Sequence, residues 1–197
     1  KTTLALNILG NVAIKDKKPV AFFSLEENME NIVNKLIIRT SMVEADKFKI
    51  YDQYQKGQIL KPEFTDDEWD RISYGVNSLK DAPIFIDVTA PQTIDNIFKK
   101  SCELKEKENI ELIIIDYLQL IQFDKRKALS RDNEIDEILQ KLKTLAKELN
   151  VPVIVTSQLS RRPEEREDKR PVITDFTNTA SSILKYADKI LLLYRDS

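Results

Sequence analysis

The sequence predicts an α/β fold in which a mostly parallel, twisted sheet is flanked by helices. Short apolar runs alternate along the chain with segments whose apolar residues recur at helical spacing. Runs such as Leu-Ile-Ile-Ile and Val-Pro-Val-Ile-Val are apolar on both faces, as parallel strands covered by helices require. Because right-handed crossovers join consecutive parallel strands, the alternation indicates a doubly wound sheet.

Each predicted element has a local signal. Helical spacing of apolar residues predicts helices over 4–14, 28–42, 65–79, 93–107 and 133–149. Thr65 and Glu68 form a capping-box pattern at the start of the third helix, and Thr93 is the expected N-cap of the fourth. The apolar runs predict strands over 19–24, 83–87, 112–115, 151–156 and 190–194. Three polar or charged stretches are predicted to be loops: 47–61, with a short helical insertion, 123–131 and 159–175.

The composition describes one ordinary globular domain, 1–197. The chain is 42% hydrophobic and 32% charged, and it is long enough to bury a substantial core. Its net charge of −2 gives no overall basic signature, so contact with nucleic acid must come from a local patch. The absence of histidine excludes histidine-based metal sites and triads. A single cysteine, Cys102, excludes an internal disulfide and fits a reducing cytoplasm. No apolar run reaches the roughly 18 residues of a membrane span, so no membrane contact is expected.

The first residues carry a phosphate-binding pattern. Lys1-Thr2-Thr3 matches the end of the P-loop motif G-x-x-x-x-G-K-S/T, in which the lysine reaches the β- and γ-phosphates and the next hydroxyl binds Mg²⁺. By itself this match is weak, because an N-terminal lysine is usually just solvated. The glycines of the motif do not precede Lys1, so we expect the sequence to begin inside its own active site. For the same reason we expect the chain alone to be inactive towards ATP.

Two acidic residues follow predicted strands. Asp116 ends the strand 112–115, where a carboxylate faces the ligand-binding crevice of a parallel sheet. It is a candidate Mg²⁺ ligand, partly through water, and the alternative is a residue that caps the next turn. Glu26 follows the strand 19–24 and could polarise the water that attacks a γ-phosphate. Its alternative is a helix N-terminal acid, a role that suits the adjacent Glu27 better.

Two further signals lie near the end of the strand 151–156. Gln158 closes that strand, where it could hydrogen-bond a γ-phosphate, although a glutamine at a strand end means little by itself. The loop that follows interleaves basic and acidic residues. Its arginines, Arg161 among them, either reach a phosphate or a neighbouring subunit, or belong to a solvated loop of mixed charge.

Several motifs, in one order along the chain, resemble a known family. They are K-T-T at 1–3, F-S-L-E at 23–26, D-Y-L-Q-L at 116–120, S-Q-L-S-R at 157–161, D-K-R-P at 168–171 and L-Y-R-D at 193–196. Together they resemble the carboxy-terminal motor domain of the replicative DNA helicases of the DnaB family. The match covers nearly the whole chain, and D-Y-L-Q-L and S-Q-L-S-R are specific to that family beyond a generic RecA-like ATPase.

The resemblance implies a fold, a reaction and partners. It implies a RecA-like P-loop NTPase fold, a homohexameric ring, and ATP-driven translocation on single-stranded DNA with duplex unwinding during replication. Primase and a helicase loader are the expected protein partners, and ATP with Mg²⁺ is the expected ligand. Carried over by position, Lys1 and Thr2 are the P-loop pair, Glu26 is the catalytic base, Asp116 is the Walker B aspartate and Gln158 is the γ-phosphate sensor.

The sequence departs from the family pattern at the DNA-gripping loop. Where relatives usually carry an arginine-glutamate-serine-glycine stretch, this chain reads F-T-N-T-A-S-S over 176–182. We expect backbone amides and small hydroxyls at Thr177, Asn178 and Thr179, with Arg161 nearby, to contact the DNA backbone. The family's arginine finger lies beyond the last strand, past Ser197. A RecA-like recombination or repair ATPase and a non-catalytic module that binds DNA or partners are the alternative functions.

Overall fold

The computed structural model describes residues 1–55, 57, 63–123 and 130–195, and in them four parallel strands form one sheet. The strands are β1 (Val20–Ser24), β2 (Ile84–Asp87), β3 (Leu112–Asp116) and β4 (Val153–Val155). Their order across the sheet is β2-β1-β3-β4, so every sequential connection within it crosses over a face. The predicted α/β fold with a parallel sheet is confirmed.

The register of the strands brings the ends of β1 and β3 together. Val20 lies opposite Leu112 and Ser24 opposite Asp116, so the carboxyl ends of both strands meet at one edge. Every residue of β1 and β3 is buried, whereas β2 and β4 are half-buried at the sides of the sheet. This explains why both central strands are apolar at every position before their last residue.

Helices cover both faces of the sheet. They are α1 (Thr2–Gly10), α2 (Met29–Ser41), α3 (Ala45–Gln55), α4 (Asp66–Lys80), α5 (Ile94–Glu108), α6 (Arg131–Leu149) and α7 (Ala180–Tyr186). A π-helical turn, Asn11–Lys15, continues α1, and short 3₁₀ turns lie at Leu118–Leu120, Arg162–Glu165 and Ile173–Thr179. No helix within the described part of the chain has the length and apolar character needed to cross a membrane.

Two apolar layers separate the helices from the sheet. Alternate strand residues point to opposite faces, so Ala21 and Phe23 join α5 and α6 in one layer, and Val20 and Phe22 join α1 and α2 in the other. The helix α1 therefore lies directly on the sheet, with Leu6 and Leu9 buried. This packing fixes the first residues of the chain against the ends of the strands.

Local capping signals were accurate, and one predicted strand was wrong. The capping box of Thr65 and Glu68 is present and Thr93 caps α5, as predicted, whereas the cap of α6 by Ser130 was not predicted. The 190–194 run forms no strand, and Leu191 and Leu193 are 74% and 50% exposed, because no strand of the described residues lies beside it.

Other predicted bounds differ slightly from the structure. The predicted strand over 151–156 shortens to β4, and the helix predicted from 133 begins at Arg131. In the predicted loop 47–61 the helix α3 extends to Gln55, and 56 and 58–62 lie outside the described residues. Most of the predicted loop 123–131 falls outside them as well, at 124–129.

Candidate nucleotide site

Four residues that are far apart in the sequence converge at the carboxyl ends of β1 and β3. Lys1 is the N-cap residue of α1, and its ammonium nitrogen Nζ lies 3.0 Å from Oε2 of Glu26 and 3.5 Å from Oδ1 of Asp116. The same nitrogen lies 3.8 Å from the centroid of the Tyr117 ring. The structure thus brings together Lys1, Thr2, Glu26 and Asp116, as the sequence predicted.

Hydroxyl groups hold the buried carboxylate of Asp116. Its side chain is fully buried, and the hydroxyl of Thr2 donates to Oδ2 at 2.5 Å. The hydroxyl of Thr156, the residue after β4, donates to Oδ1. Because a buried carboxylate is costly without polar partners, these two donors and the Lys1 ammonium offset the cost of its burial. Thr156 was not predicted, although the meeting of parallel strand ends could have indicated it.

The group fits a magnesium-bound phosphate. Mg²⁺ is usually held by one or two protein oxygen atoms together with waters and phosphate oxygens. The Thr2 hydroxyl and the Asp116 carboxylate supply two adjacent hard oxygen donors. Lys1 stands at the positive end of the α1 dipole, where backbone amides favour an anion.

A tight turn places Glu26 outside the following helix. The hydroxyl of Ser24 donates to the carbonyl oxygen of Glu27 at 2.8 Å and accepts from the Glu27 amide at 3.2 Å. Asn28 is the N-cap of α2, its side chain accepting from the Asn31 amide. The Glu26 side chain is 48% exposed at the edge of the crevice, and it is Glu27 that pairs with a lysine of α2.

The candidate sensor residue lies in the irregular segment that follows β4. Ser157 and Gln158 follow β4, and Gln158 is exposed. The side chain of Gln119 donates to the Ser157 hydroxyl at 2.9 Å and to the carbonyl oxygen of Gln158 at 3.2 Å. This contact was not predicted, because Gln119 had been considered only as part of the D-Y-L-Q-L motif.

The charged loop after Gln158 has at its base an ion pair between a partly exposed arginine and a buried carboxylate. Arg166 donates from Nη1 to Oδ1 of Asp175 at 2.9 Å and from Nη2 to Oδ2 at 2.8 Å. The Val172 amide also donates to Asp175, whose side chain is buried. These donors, Arg166 first, lower the pKa of Asp175. Arg161 is exposed at the start of the same loop.

Three of the predicted DNA-contacting residues, Thr177, Asn178 and Thr179, lie on the 3₁₀ turn Ile173–Thr179. Thr179 is buried, and its hydroxyl donates to the carbonyl oxygen of Phe176 at 2.7 Å, so that hydroxyl is engaged within the protein. The side chains of Thr177 and Asn178 lie outside those that the structure describes. The structure does not bring Thr179 into contact with the site formed by Lys1, Thr2, Glu26 and Asp116.

A lysine and a hydroxyl at the start of a helix, facing a carboxylate at the end of a buried parallel strand, define a RecA-like nucleotide-binding domain. The family model described as DnaB-like helicase C terminal domain matches residues 1–197, and the chain belongs to that family.

Two curated relatives are replicative helicases. The chain is 39% identical to the replicative DNA helicase DnaB of Geobacillus stearothermophilus and 38% identical to the replicative DNA helicase DnaC of Bacillus subtilis (strain 168). Each match covers 100% of this chain and 40% of the relative. The chain therefore spans about two fifths of the length of these relatives.

Two solved structures share the fold over almost the whole chain. One of them, described as an ATPase domain, superposes with a TM-score of 0.87 at 32% identity, covering 99% of this chain and 65% of that one. A DnaB-like replicative helicase, solved in a study of its interactions with primase, has a TM-score of 0.80 at 31% identity, covering 90% of this chain and 41% of that one. These matches confirm the expected family and the RecA-like ATPase fold.

Proposed function

We propose that residues 1–197 form the ATP-driven motor domain of a hexameric DNA helicase that translocates on single-stranded DNA and unwinds duplex DNA during replication. The observation that carries the proposal is the convergence of Lys1, Thr2, Glu26 and Asp116 at one sheet edge. A partner-binding relative without catalysis would have no need of this arrangement. Membership of a helicase family favours the motor over a recombination ATPase.

Each residue of the group has a distinct role in this proposal. Lys1 binds the β- and γ-phosphates of ATP, and Thr2 and Asp116 would hold Mg²⁺, which neutralises phosphate charge when bound. Glu26 accepts the proton of the attacking water, and Gln158 contacts the γ-phosphate. In the structure Lys1 is paired with Glu26. Phosphate binding would compete for Lys1 and so free the carboxylate of Glu26 to act as a base.

DNA contact is proposed for the 3₁₀ turn and the charged loop. Backbone amides around Thr177, Asn178 and Thr179 would hold phosphates, and Arg161 would add positive charge. Six copies in a ring would repeat these weak contacts along one strand, which lets a chain of net charge −2 bind DNA. Primase and a helicase loader remain the proposed protein partners. Because the substrate would be DNA inside the cell, we propose a cytoplasmic location.

The test of the catalytic assignment uses the full-length protein that contains this chain. Glu26→Gln should bind ATP normally but lower turnover by about 10²- to 10⁴-fold, because the water loses its base while the phosphate contacts remain. Lys1→Ala should weaken nucleotide binding itself. Glu30→Gln, at an exposed position of α2, is the matched control and should leave both unchanged. Turnover of Glu26→Gln at the parent rate would show that the base is another residue.

The test of the DNA assignment is single-stranded DNA affinity measured across a salt series. Thr177→Asp and Asn178→Asp should weaken binding in every sequence context, because an acid repels the phosphate backbone. The salt dependence of the parent should be shallow, since few cationic groups displace counterions. Asn77→Asp, at an exposed position of α4, adds the same charge elsewhere. If both loop variants bind DNA as this control does, the turn does not grip DNA.

A further inference from the structure

The hydrogen-bonded ladder between β3 and β4 continues beyond the strands through a side chain. The last backbone bonds run from the Thr156 amide to Ile115 at 3.0 Å and from the Leu118 amide to Thr156 at 2.9 Å. Beyond them, Oε1 of Gln119 accepts from the Gln158 amide at 3.2 Å, and Nε2 donates to the Gln158 carbonyl oxygen at 3.2 Å. One side-chain amide thus engages both backbone groups of Gln158, as a neighbouring strand would.

Two further contacts hold this side chain in place. Nε2 of Gln119 also donates to the Ser157 hydroxyl at 2.9 Å. On the other side, Nη2 of Arg131, the first residue of α6, donates to the backbone carbonyl oxygen of Gln119 at 2.8 Å and to that of Ile121 at 3.3 Å. The Gln119 backbone is therefore fixed to a long helix, and its side chain fixes the Ser157–Gln158 segment after β4.

We propose that Gln119 is a positioning residue for ATP hydrolysis that aims Gln158 at the γ-phosphate by fixing the backbone of the Ser157–Gln158 segment. The inference rests on the proposed function, because it needs Gln158 to act at the phosphate. Gln158 is exposed, and its backbone direction sets where its side chain reaches. A side chain that must meet a phosphate loses effectiveness steeply when its backbone moves by about 1 Å.

Amide hydrogen exchange tests whether Gln119 fixes the backbone of Ser157 and Gln158, independently of ATP turnover. In the full-length protein, Gln119→Leu keeps the approximate volume but removes all three side-chain hydrogen bonds. We expect amide exchange in a peptide covering 153–160 to become about 2- to 10-fold faster, since one protecting hydrogen bond is lost. Gln140→Leu, an exposed site on α6, is the matched control and should not change exchange in that peptide. Unchanged exchange in Gln119→Leu overturns the proposal.

The rate of ATP turnover tests whether Gln119 affects hydrolysis. Gln119→Leu should lower the kcat for ATP by about 10- to 100-fold while the KM for ATP stays within about twofold, because Lys1 and Thr2 are untouched. Gln119→Glu keeps the acceptor for the Gln158 amide and loses the contact to its carbonyl oxygen, so its kcat should be intermediate. Faster exchange with parental kcat would also overturn the proposal.

A double-mutant cycle distinguishes positioning from general damage. If Gln119 acts through Gln158, adding Gln119→Leu to Gln158→Leu should lower kcat by less than about twofold further. Independent, multiplicative losses contradict the proposal, whereas Gln158→Leu alone at parental kcat contradicts the sensor role itself. Absence of ATP turnover in the parent protein contradicts the proposed function. The exchange measurement then decides by itself whether Gln119 fixes the Ser157–Gln158 segment.

Discussion

Replacing Gly10 by alanine should change stability in opposite directions depending on whether Arg39 is present. Gly10 lies in the last turn of α1 with helical backbone angles, so alanine fits its conformation. An added Cβ would lie 2.4 Å from Nη1 of Arg39 and 2.6 Å from its Cζ, which is too close. The guanidinium must therefore leave its place against the helix.

The contacts that Arg39 would lose set the magnitude. Its guanidinium donates to Oδ1 of Asn7 at 2.9 Å, to the Asn7 carbonyl oxygen at 3.3 Å and to Oδ1 of Asn11 at 2.7 Å. Burial lowers the pKa of Arg39, so release into water also relieves some desolvation. Three hydrogen bonds at about 0.5–1.5 kcal/mol each, less the roughly 1 kcal/mol that alanine gains over glycine in a helix, leave a net loss. Because Arg39 is only half-buried, we expect the lower part of that range, about 0.5–2 kcal/mol.

The effect of Gly10→Ala on stability changes sign when the Arg39 guanidinium is absent. In an Arg39→Ala background the three nearest atoms are absent, and Gly10→Ala should stabilise the protein by about 0.8–1.0 kcal/mol through helix propensity alone. The coupling between the two positions is then about 1.3–3 kcal/mol, and each kcal/mol corresponds to about 2–4 °C in Tm for a chain of this size.

Urea-induced unfolding of the four proteins of this cycle is the assay. Ser73→Ala, at an exposed position of α4, serves as the matched control and should have the same small effect in both backgrounds. Stabilisation by Gly10→Ala in the presence of Arg39, or equal effects in both backgrounds, would show that the guanidinium does not oppose a side chain at position 10. The outcome matters for function because α1 carries Lys1 and Thr2 at its other end.

Two further changes probe a hydroxyl at the site and the ion pair of the charged loop. Thr156→Val keeps the side-chain shape but removes a donor to the buried Asp116 carboxylate, so it should lower the free energy of unfolding in urea by about 1.5–3 kcal/mol. The control Thr144→Val, at an exposed position of α6, should lower it by less. Equal losses in the two variants would contradict a role for Thr156 in holding Asp116. Because Arg166 lowers the pKa of Asp175, the stability that this pair contributes is present above the ordinary aspartate pKa of about 3.9 and is lost as pH falls through the lowered value. The stability advantage of the parent over Asp175→Asn in urea unfolding should therefore be full at pH 7 and shrink below about pH 4, and a constant difference across that range would contradict the assignment.

The sequence predicted those features that depend on near neighbours. The capping box of Thr65 and Glu68 and the buried runs of β1 and β3 are local patterns, and all were found where expected. The 190–194 strand was wrong because an apolar run shows β propensity, but a strand also needs another strand lying beside it, and 190–194 has none among the described residues. The π-helical continuation of α1 was missed because helical periodicity alone does not distinguish it from an α-helix.

In the candidate site, too, the features set by local sequence were predicted and those set by strand order were missed. Lys1, Thr2 and Asp116 were predicted from their residue types and from their positions beside strands and helices, and the structure brings them together. Thr156 and Gln119 were missed because what they do depends on which strand lies beside which, and a single sequence does not give strand order. Strand order, once known, accounts for both contacts.

The outer edge of β4 has a consequence for handling the protein. Within the described residues β4 pairs only with β3, which leaves one row of its amides and carbonyls without a strand partner, next to the side chains of Val153, Ile154 and Val155. Such an edge is a template for association with other chains, and charged residues usually protect it. Here the strand itself carries no charge, and Pro152 beside it is the nearest protective residue. We therefore expect self-association through this edge when this chain is purified by itself at high concentration.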